Sequence, residues 1–514
     1  MAEPPDAAPR RVVRAPSLGE SVLAIAILIV LIISTVILFG TDATSGPLQV
    51  ALFLAALAAG LLSWRLGNTS GQIRDAAVGG VASAMSAVYI LLAVGALIGT
   101  WNLAGTIPTI VYYGIGLLQP SIFYVSAALI CGLVGLAIGS SWTTAATLGV
   151  GLVALAPAMG ASPEITAGAV ISGAYFGDKM TPISETTVLV PSMVGNVTTQ
   201  EHIGAMIWTS GPAVVISAVI FLLLGLFGIG ESAAFDRTAA QSALAAEFNI
   251  SPLNLLPMVL LIILSLRRAP PFLAILGSAL FAGVLAWFTQ PHVIVAFTGQ
   301  EAGLATNVKS LYAAMANGYV SNTGNAAIDD LFSRGGMSSM LTTIWLVLGA
   351  LSFAAIAESA GFLDRLVSPI VARAKSAGQL IAAVIFTAIG LNLVAGDQYV
   401  AIVMPSRVYR VAFKQRGIAP RMLSRTVEDA GTVTSPLIPW NSCGAYMAGV
   451  LGVPTAAYLP YCFFNLLSPI ISLIYGLTGF HIERIQGSDE AGPAATEEPS
   501  LLAGAEPETG GAPA

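Results

Sequence analysis

Long apolar runs separated by short polar or basic stretches recur along nearly the whole chain, at residues 21–40, 48–64, 76–101, 121–139, 203–229, 252–266, 269–289, 341–357 and 378–395. Most approach or exceed the roughly 20 apolar residues with which an α-helix crosses a bilayer, so the pattern predicts an all-α polytopic membrane protein. Two blocks depart from simple spans. Between residues 139 and 196 an apolar block is interrupted first at 139–144 (GSSWTT) and again at 173–187 (GAYFGDKMTPISETT). In the C-terminal half the run 378–395 stops at 395–399 (AGDQY), and 424–446 (SRTVEDAGTVTSPLIPWNSCGAY) again sets charge and two prolines among apolar residues. Proline withholds a backbone donor and breaks a helix. Broken, charged backbone is tolerated in lipid only where it is buried in protein or lines a watery cavity, and there it marks a solute pathway. The plain alternative is that Asp178, Lys179 and Glu185 make a buried ion pair that locks two helices together.

Other stretches are less legible. Residues 102–118 are short, uncharged and interrupted by Gly105 and Pro108, which suits a re-entrant hairpin or an external cap. Residues 231–250 read as a polar loop. Ser321, Asn322 and Thr323 in the stretch 290–337 suit a polar re-entrant tip or a surface loop equally.

Composition sharpens the class. Of 514 residues 56% are hydrophobic and 9% charged, with mean hydropathy +0.82, whereas soluble domains carry roughly 25% charged residues. A bilayer is the expected partner, a nucleic acid is not, and a homodimer is compatible with the chain. The net charge of -6 belongs to the end of the chain, where Glu483, Asp489, Glu490, Glu497, Glu498, Glu506 and Glu508 face one Arg484; residues 483–514 read as a disordered acidic tail. Cys131, Cys443 and Cys462 sit in apolar surroundings as free thiols, and His202, His292 and His481 are too scattered for a metal site. Arg10, Arg11 and Arg14 precede the first span, and Arg65 and Arg74 follow the second. By the positive-inside rule this puts the N-terminus in the cytoplasm and the protein in the cell membrane. The domains expected are a cytoplasmic segment 1–20, a transmembrane unit 21–482 and the tail.

The second half echoes the first. Placing Gly177 on Gly431 puts Pro182 on Pro436 and Thr181 on Ser435 at an offset of 254, while Gly139 and Gly396 differ by 257, so a duplication with a three-residue gap explains both. Residues 140–176 contain no Lys or Arg, whereas 397–430 hold Arg407, Arg410, Lys414, Arg416, Arg421 and Arg425. The second connection is therefore cytoplasmic and the first external, which predicts inverted repeats over about 76–229 and 290–480 with broken helices and re-entrant hairpins. Many secondary transporters bind solute near the midplane between such repeats.

The strings GSSWTTAATLGVGL, ISGAYFGDKMTPISETT, GDQY and SRTVEDAGTVTSPLIPWNSCGAYMAGVLGV resemble those of the NhaC-type sodium/proton antiporters within the ion transporter superfamily, over about residues 20–480. The family pattern has Asp where this chain has Glu185, so the carboxylate is kept with a longer reach. The resemblance implies antiport of sodium and protons, although the family also includes exchangers of malate and lactate coupled to those ions.

The residue chemistry suits the same ions independently. A small hard cation needs a cage of oxygens, and the interrupted segments supply Asp178, Ser184, Glu185, Thr187, Ser140, Ser141, Asp397, Asn392, Glu428, Asp429, Thr432, Ser435 and Asn441. Asp178 and Asp397 are the expected sodium ligands. Of the adjacent Glu428 and Asp429 only one should face the site. Lys179 is either a structural partner of a carboxylate or a stand-in cation. Thr186 and Thr434 are expected merely to bond carbonyls a turn back. The expectation is a secondary active antiporter exchanging sodium for protons by alternating access, not an enzyme and without cofactors; the alternative is a sodium/proton-coupled organic acid exchanger. An intramembrane aspartyl protease is disfavoured because YFGD and VAGD lack the GxGD signature. A channel is disfavoured because paired interruptions suit a carrier.

Overall fold

The structure, a computed structural model, describes residues 13–228, 237–301, 303–321, 329 and 332–485. Among them nine helices are long and apolar enough to cross a membrane, or up to eleven if two bent pairs each count as one span. The chain is an all-α, multi-pass membrane protein. Its first helix, Leu18–Phe39, begins in a capping box in which Ser17 Oγ accepts from the Glu20 N–H and the Glu20 carboxylate accepts from the Ser17 N–H. Its outer face presents Ile33, Ile37 and Leu38, as a surface against lipid tails requires.

Several expectations are corrected. The span placed at 76–101 is two helices, Ser70–Ser83 and Met85–Leu103. The first has no buried residue and carries the exposed pair Arg74–Asp75, so it cannot belong to the membrane-crossing run. Residues 102–118 form a helix, Thr106–Leu117, that turns off the preceding span at Gly105. The polar stretch 231–250 contains the helix Arg237–Glu247, whose alanines favour helix. Helices Pro291–Thr298 and Leu304–Asn317 occupy much of 290–337. The tip at Asn322 and Thr323, Arg10 and Arg11, and tail residues 486–514 lie outside the described residues. Residues 483–485 are held in place: Glu483 pairs with Arg421, and Arg484 bridges to Ile418.

Helix boundaries repeat along the chain. Met85–Leu103 and Thr106–Leu117 recur as Leu341–Ser359 and Phe362–Arg373, each shifted by 256 residues at both ends. Pro120–Ile138 recurs as Ala377–Ala395, and Glu185–Val194 as Ser442–Leu451, each shifted by 257. The prolines that open the two connecting helices, Pro163 and Pro420, keep the same shift. The three-residue gap therefore disappears. Pro182 matches Pro439 rather than Pro436, and Gly177 does not match Gly431. Two prolines three residues apart in the second half made the 254 offset look good, whereas the helix-starting residues Ser184 and Asn441 recur at 257.

Candidate functional site

The helix Phe123–Ile138 ends on Gly139, whose φ of 75° suits a residue without a β-carbon. Ser140 is extended and its Oγ accepts from the Thr143 N–H at 3.2 Å, starting the half-helix Ser141–Ala158. Beside it runs Pro163–Lys179. At Gly177 a β-carbon would come within 2.4 Å of the Gly132 carbonyl oxygen, so only glycine lets the two helices close to this distance. That approach brings Asp178, on the last turn, to the break: its Oδ2 accepts from the Ser141 N–H at 2.9 Å. The positive end of the half-helix thus meets the carboxylate. Thr187 Oγ1 donates to the Lys179 carbonyl at 3.0 Å, satisfying backbone freed where the helix stops.

The second half builds the matching break with other side chains. Ala377–Ala395 ends on Gly396 at φ 62°, and Asp397 caps Gln398–Val408 by accepting from the N–H groups of Tyr399 at 2.8 Å and Val400 at 3.2 Å. Ser442 Oγ donates to Asp397 Oδ2 at 3.4 Å. Asn441 Oδ1 accepts from the Cys443 N–H, and its amide donates to Asn392 Oδ1 at 3.1 Å. Asn392 in turn donates to Thr434 Oγ1 at 3.0 Å. The two asparagines are thereby committed to holding the break together. Ser435 Oγ donates to the Thr432 carbonyl at 2.7 Å, and Thr434 Oγ1 to that of Ala430, as expected for hydroxyls in membrane helices.

Between the breaks opens a cavity of about 1560 Å³ lined by Asp178, Glu185, Asp397, Ser140, Ser141, Ser184, Thr186 and Ser442, with Asp75, Glu358, Asp364, Arg268 and Arg407 also on its walls. Thr186 departs from expectation. It sits in the first turn of Glu185–Val194, where the helix has no carbonyl a turn back, and instead meets Ser184 Oγ at 3.2 Å. At the shift of 257, Ser140 matches Asp397, Asp178 matches Ser435 and Glu185 matches Ser442. Each matched pair holds one carboxylate and one serine, so the recurrence of helix boundaries does not double the charge. Among the described residues no three His, Cys, Asp or Glu converge as a metal-holding group. Asp178 and Asp397 are each drawn to a helix N-terminus, so the carboxylates share a cavity without forming one tight cage.

A second set of charges lies apart from the cavity. Lys179 Nζ is ion-paired with Asp429 Oδ1 and donates to Ser468 Oγ at 3.1 Å. Thr209 Oγ1 donates to the same Asp429 oxygen at 2.9 Å, and Arg425 Nε stands 3.9 Å from Oδ2. All three charged side chains are fully buried. Glu428 is equally buried with Thr186 and Thr432 beside it, and neither of its oxygens has a hydrogen-bond partner. Neither Glu428 nor Asp429 lines the cavity, because they open a wide π-turn, 428–432, packed inside the bundle.

The chain matches the model of the Na+/H+ antiporter family over residues 2–196 and 173–480. It belongs to the Na+/H+ antiporter family. A protein named Na(+)/H(+) antiporter NhaC from Alkalihalophilus pseudofirmus is 35% identical over 91% of this chain and 97% of its own length. A Malate-2H(+)/Na(+)-lactate antiporter from Bacillus subtilis is 33% identical over 91% and 96%, and an Arginine/ornithine antiporter ArcD from Halobacterium salinarum 35% over 90% and 93%. Within this antiporter, Tyr399 is a cavity residue that the sequence reading missed: its phenol donates to Glu185 Oε2 at 2.8 Å. Ser442 was missed as well, although the 257 register with Glu185 is a signal that could have found it.

Proposed function

We propose that this chain is a secondary active antiporter that exchanges sodium for protons across the cell membrane by alternating access, and not an enzyme. The observation that carries the reading is the sign of the cavity. Asp178, Glu185 and Asp397 reach it from two separate breaks, and Lys179, which could have neutralised them, is spent on Asp429. Counting all its walls, six carboxylates face two guanidiniums, a balance that attracts cations. Asp178 and Asp397 each have one oxygen engaged by backbone N–H groups, and the other, which in Asp397 meets only the long 3.4 Å bond from Ser442 Oγ, is the one offered to a cation or a proton, with Ser140 and Ser184 as neutral oxygen donors. Thr187, Ser435 and Asn441 support the broken backbone in this reading, and Lys179, Asp429 and Glu428, with Thr432 beside Glu428, lie behind it.

Arg268 and Arg407 on the cavity wall fit a mouth that opens to the cytoplasm, with the N-terminus on the same side. The recurring boundaries support two repeats, and the charge asymmetry of their connections supports opposite orientations. A reporter cysteine near Ala161 should then label from outside and one near Gly417 from the cytoplasm, in a background without the buried Cys131, Cys443 and Cys462; labelling of both from one side contradicts the inversion.

A second reading is exchange of an organic acid coupled to sodium and protons. Its support is the cavity size, ample for an organic solute, and the two arginines that could receive a carboxylate. Proton movement in proteoliposomes on addition of sodium, lithium, potassium, malate or lactate separates the two. Sodium alone should drive proton efflux, and an absolute requirement for an organic acid would overturn the first reading.

A further inference from the structure

Glu185 and Asp397 come from opposite halves of the chain, yet one residue touches both. The Tyr399 backbone N–H donates to Asp397 Oδ1 at 2.8 Å, and its phenol donates to Glu185 Oε2 at 2.8 Å. All three residues line the cavity. The first half has no such tether: at the 257 register Tyr399 matches Trp142, which stacks on Tyr446 with ring centroids 3.9 Å apart. The tether also needs the glutamate, because an aspartate at 185 would be one methylene short of the phenol.

We propose that Tyr399 is a positioning residue for ion exchange, tying the Glu185 carboxylate to the Asp397 break and thereby orienting it for the transported cation. This rests on the cation-exchange reading above. With Oε2 held by the phenol, Oε1 is oriented for a cation instead of swinging freely in the cavity. Loss of the phenol therefore frees the carboxylate to swing and weakens sodium binding. The bond joins an element of each half, Glu185–Val194 and Gln398–Val408, so it also registers the two halves against each other when the site is empty.

The test is Tyr399→Phe, which keeps the ring and the backbone N–H, compared with Glu185→Asp and with the double variant. Sodium-driven proton movement in proteoliposomes and sodium-dependent thermal stabilisation of the purified protein are both measured across pH. Tyr399→Phe should raise the half-saturating sodium concentration about tenfold, the lower end of what a hydrogen bond to a charged group contributes, both for exchange and for thermal stabilisation, while the maximal exchange rate is retained. In the Glu185→Asp background the same substitution should change neither quantity, since the two sites act through one bond. An unchanged half-saturating sodium concentration in Tyr399→Phe, or an equal effect in both backgrounds, overturns the inference while leaving sodium–proton exchange intact. A wild-type protein that neither moves protons with sodium nor is stabilised by it overturns the exchange reading and this inference together.

Discussion

The cavity and the buried cluster behind it use the same residue types for opposite ends. In the cavity Asp178, Glu185 and Asp397 have no ion-pair partner among the described residues and face space. In the cluster Asp429 is enclosed by Lys179, Thr209 and Ser468, with Arg425 close by. A carboxylate with a free oxygen and access can exchange one small cation for another; one whose charge is already matched by a buried ammonium cannot do so without stranding that ammonium. The difference teaches that an ionisable residue inside the membrane is a pathway candidate only after its partners are known. Lys179 and Asp178 are neighbours in sequence and belong to different systems.

The largest expected effect tests the cavity side. Asp178→Asn and Asp397→Asn should each reduce sodium–proton exchange in proteoliposomes below detection while the protein remains folded in the membrane. Retained exchange in either variant would break the comparison at its first term.

The next tests the cluster side. Asp429→Asn removes one partner of a buried pair and should destabilise by about 3 to 5 kcal/mol, read as thermal unfolding in detergent. The double substitution Lys179→Met with Asp429→Leu should recover part of that loss, because the ammonium is no longer stranded although the buried Arg425 still loses its carboxylate neighbour, and should keep the wild-type sodium affinity per folded molecule. A double variant that folds well but no longer binds sodium would move the cluster into the transport site.

Coupling gives a smaller, graded effect. If cavity carboxylates hold either sodium or protons, lowering the pH fills them with protons, and the apparent sodium affinity should fall by up to about tenfold per pH unit for one competing proton. Sodium titrations across the active range check this, and an affinity indifferent to pH would separate the two ions onto different groups.

The smallest effect concerns a cavity hydroxyl that meets a neighbouring serine and stands beside Glu428 without engaging backbone. Thr186→Ala should cost about 1 kcal/mol of stability or less and leave exchange within a few-fold of wild type. A complete loss would promote Thr186 from lining to ligand.

Much of the architecture was legible in the chain because membrane helices announce themselves locally. Span lengths, the breaks at Gly139 and Gly396 and the charged stretch around Asp178 all follow from runs of adjacent residues, whose hydropathy and backbone preferences need no distant partner. The register of the recurrence was less secure. Glycine and proline are frequent enough in this chain to offer a match at Pro436, and only the observed helix starts at Ser184 and Asn441 separate that offset from the one at 257.

By itself, then, the sequence determined a polytopic helical bundle with charge placed on broken backbone, since insertion into lipid depends on composition summed over each segment. It also determined that those charges are mostly acidic. Only the tertiary structure decided which acid does what. Asp429 lies 250 positions from Lys179, and Tyr399 lies 214 from Glu185. Whether a carboxylate is paired, tethered or open depends on those long-range contacts, and no local pattern of hydrophobic and polar residues encodes them.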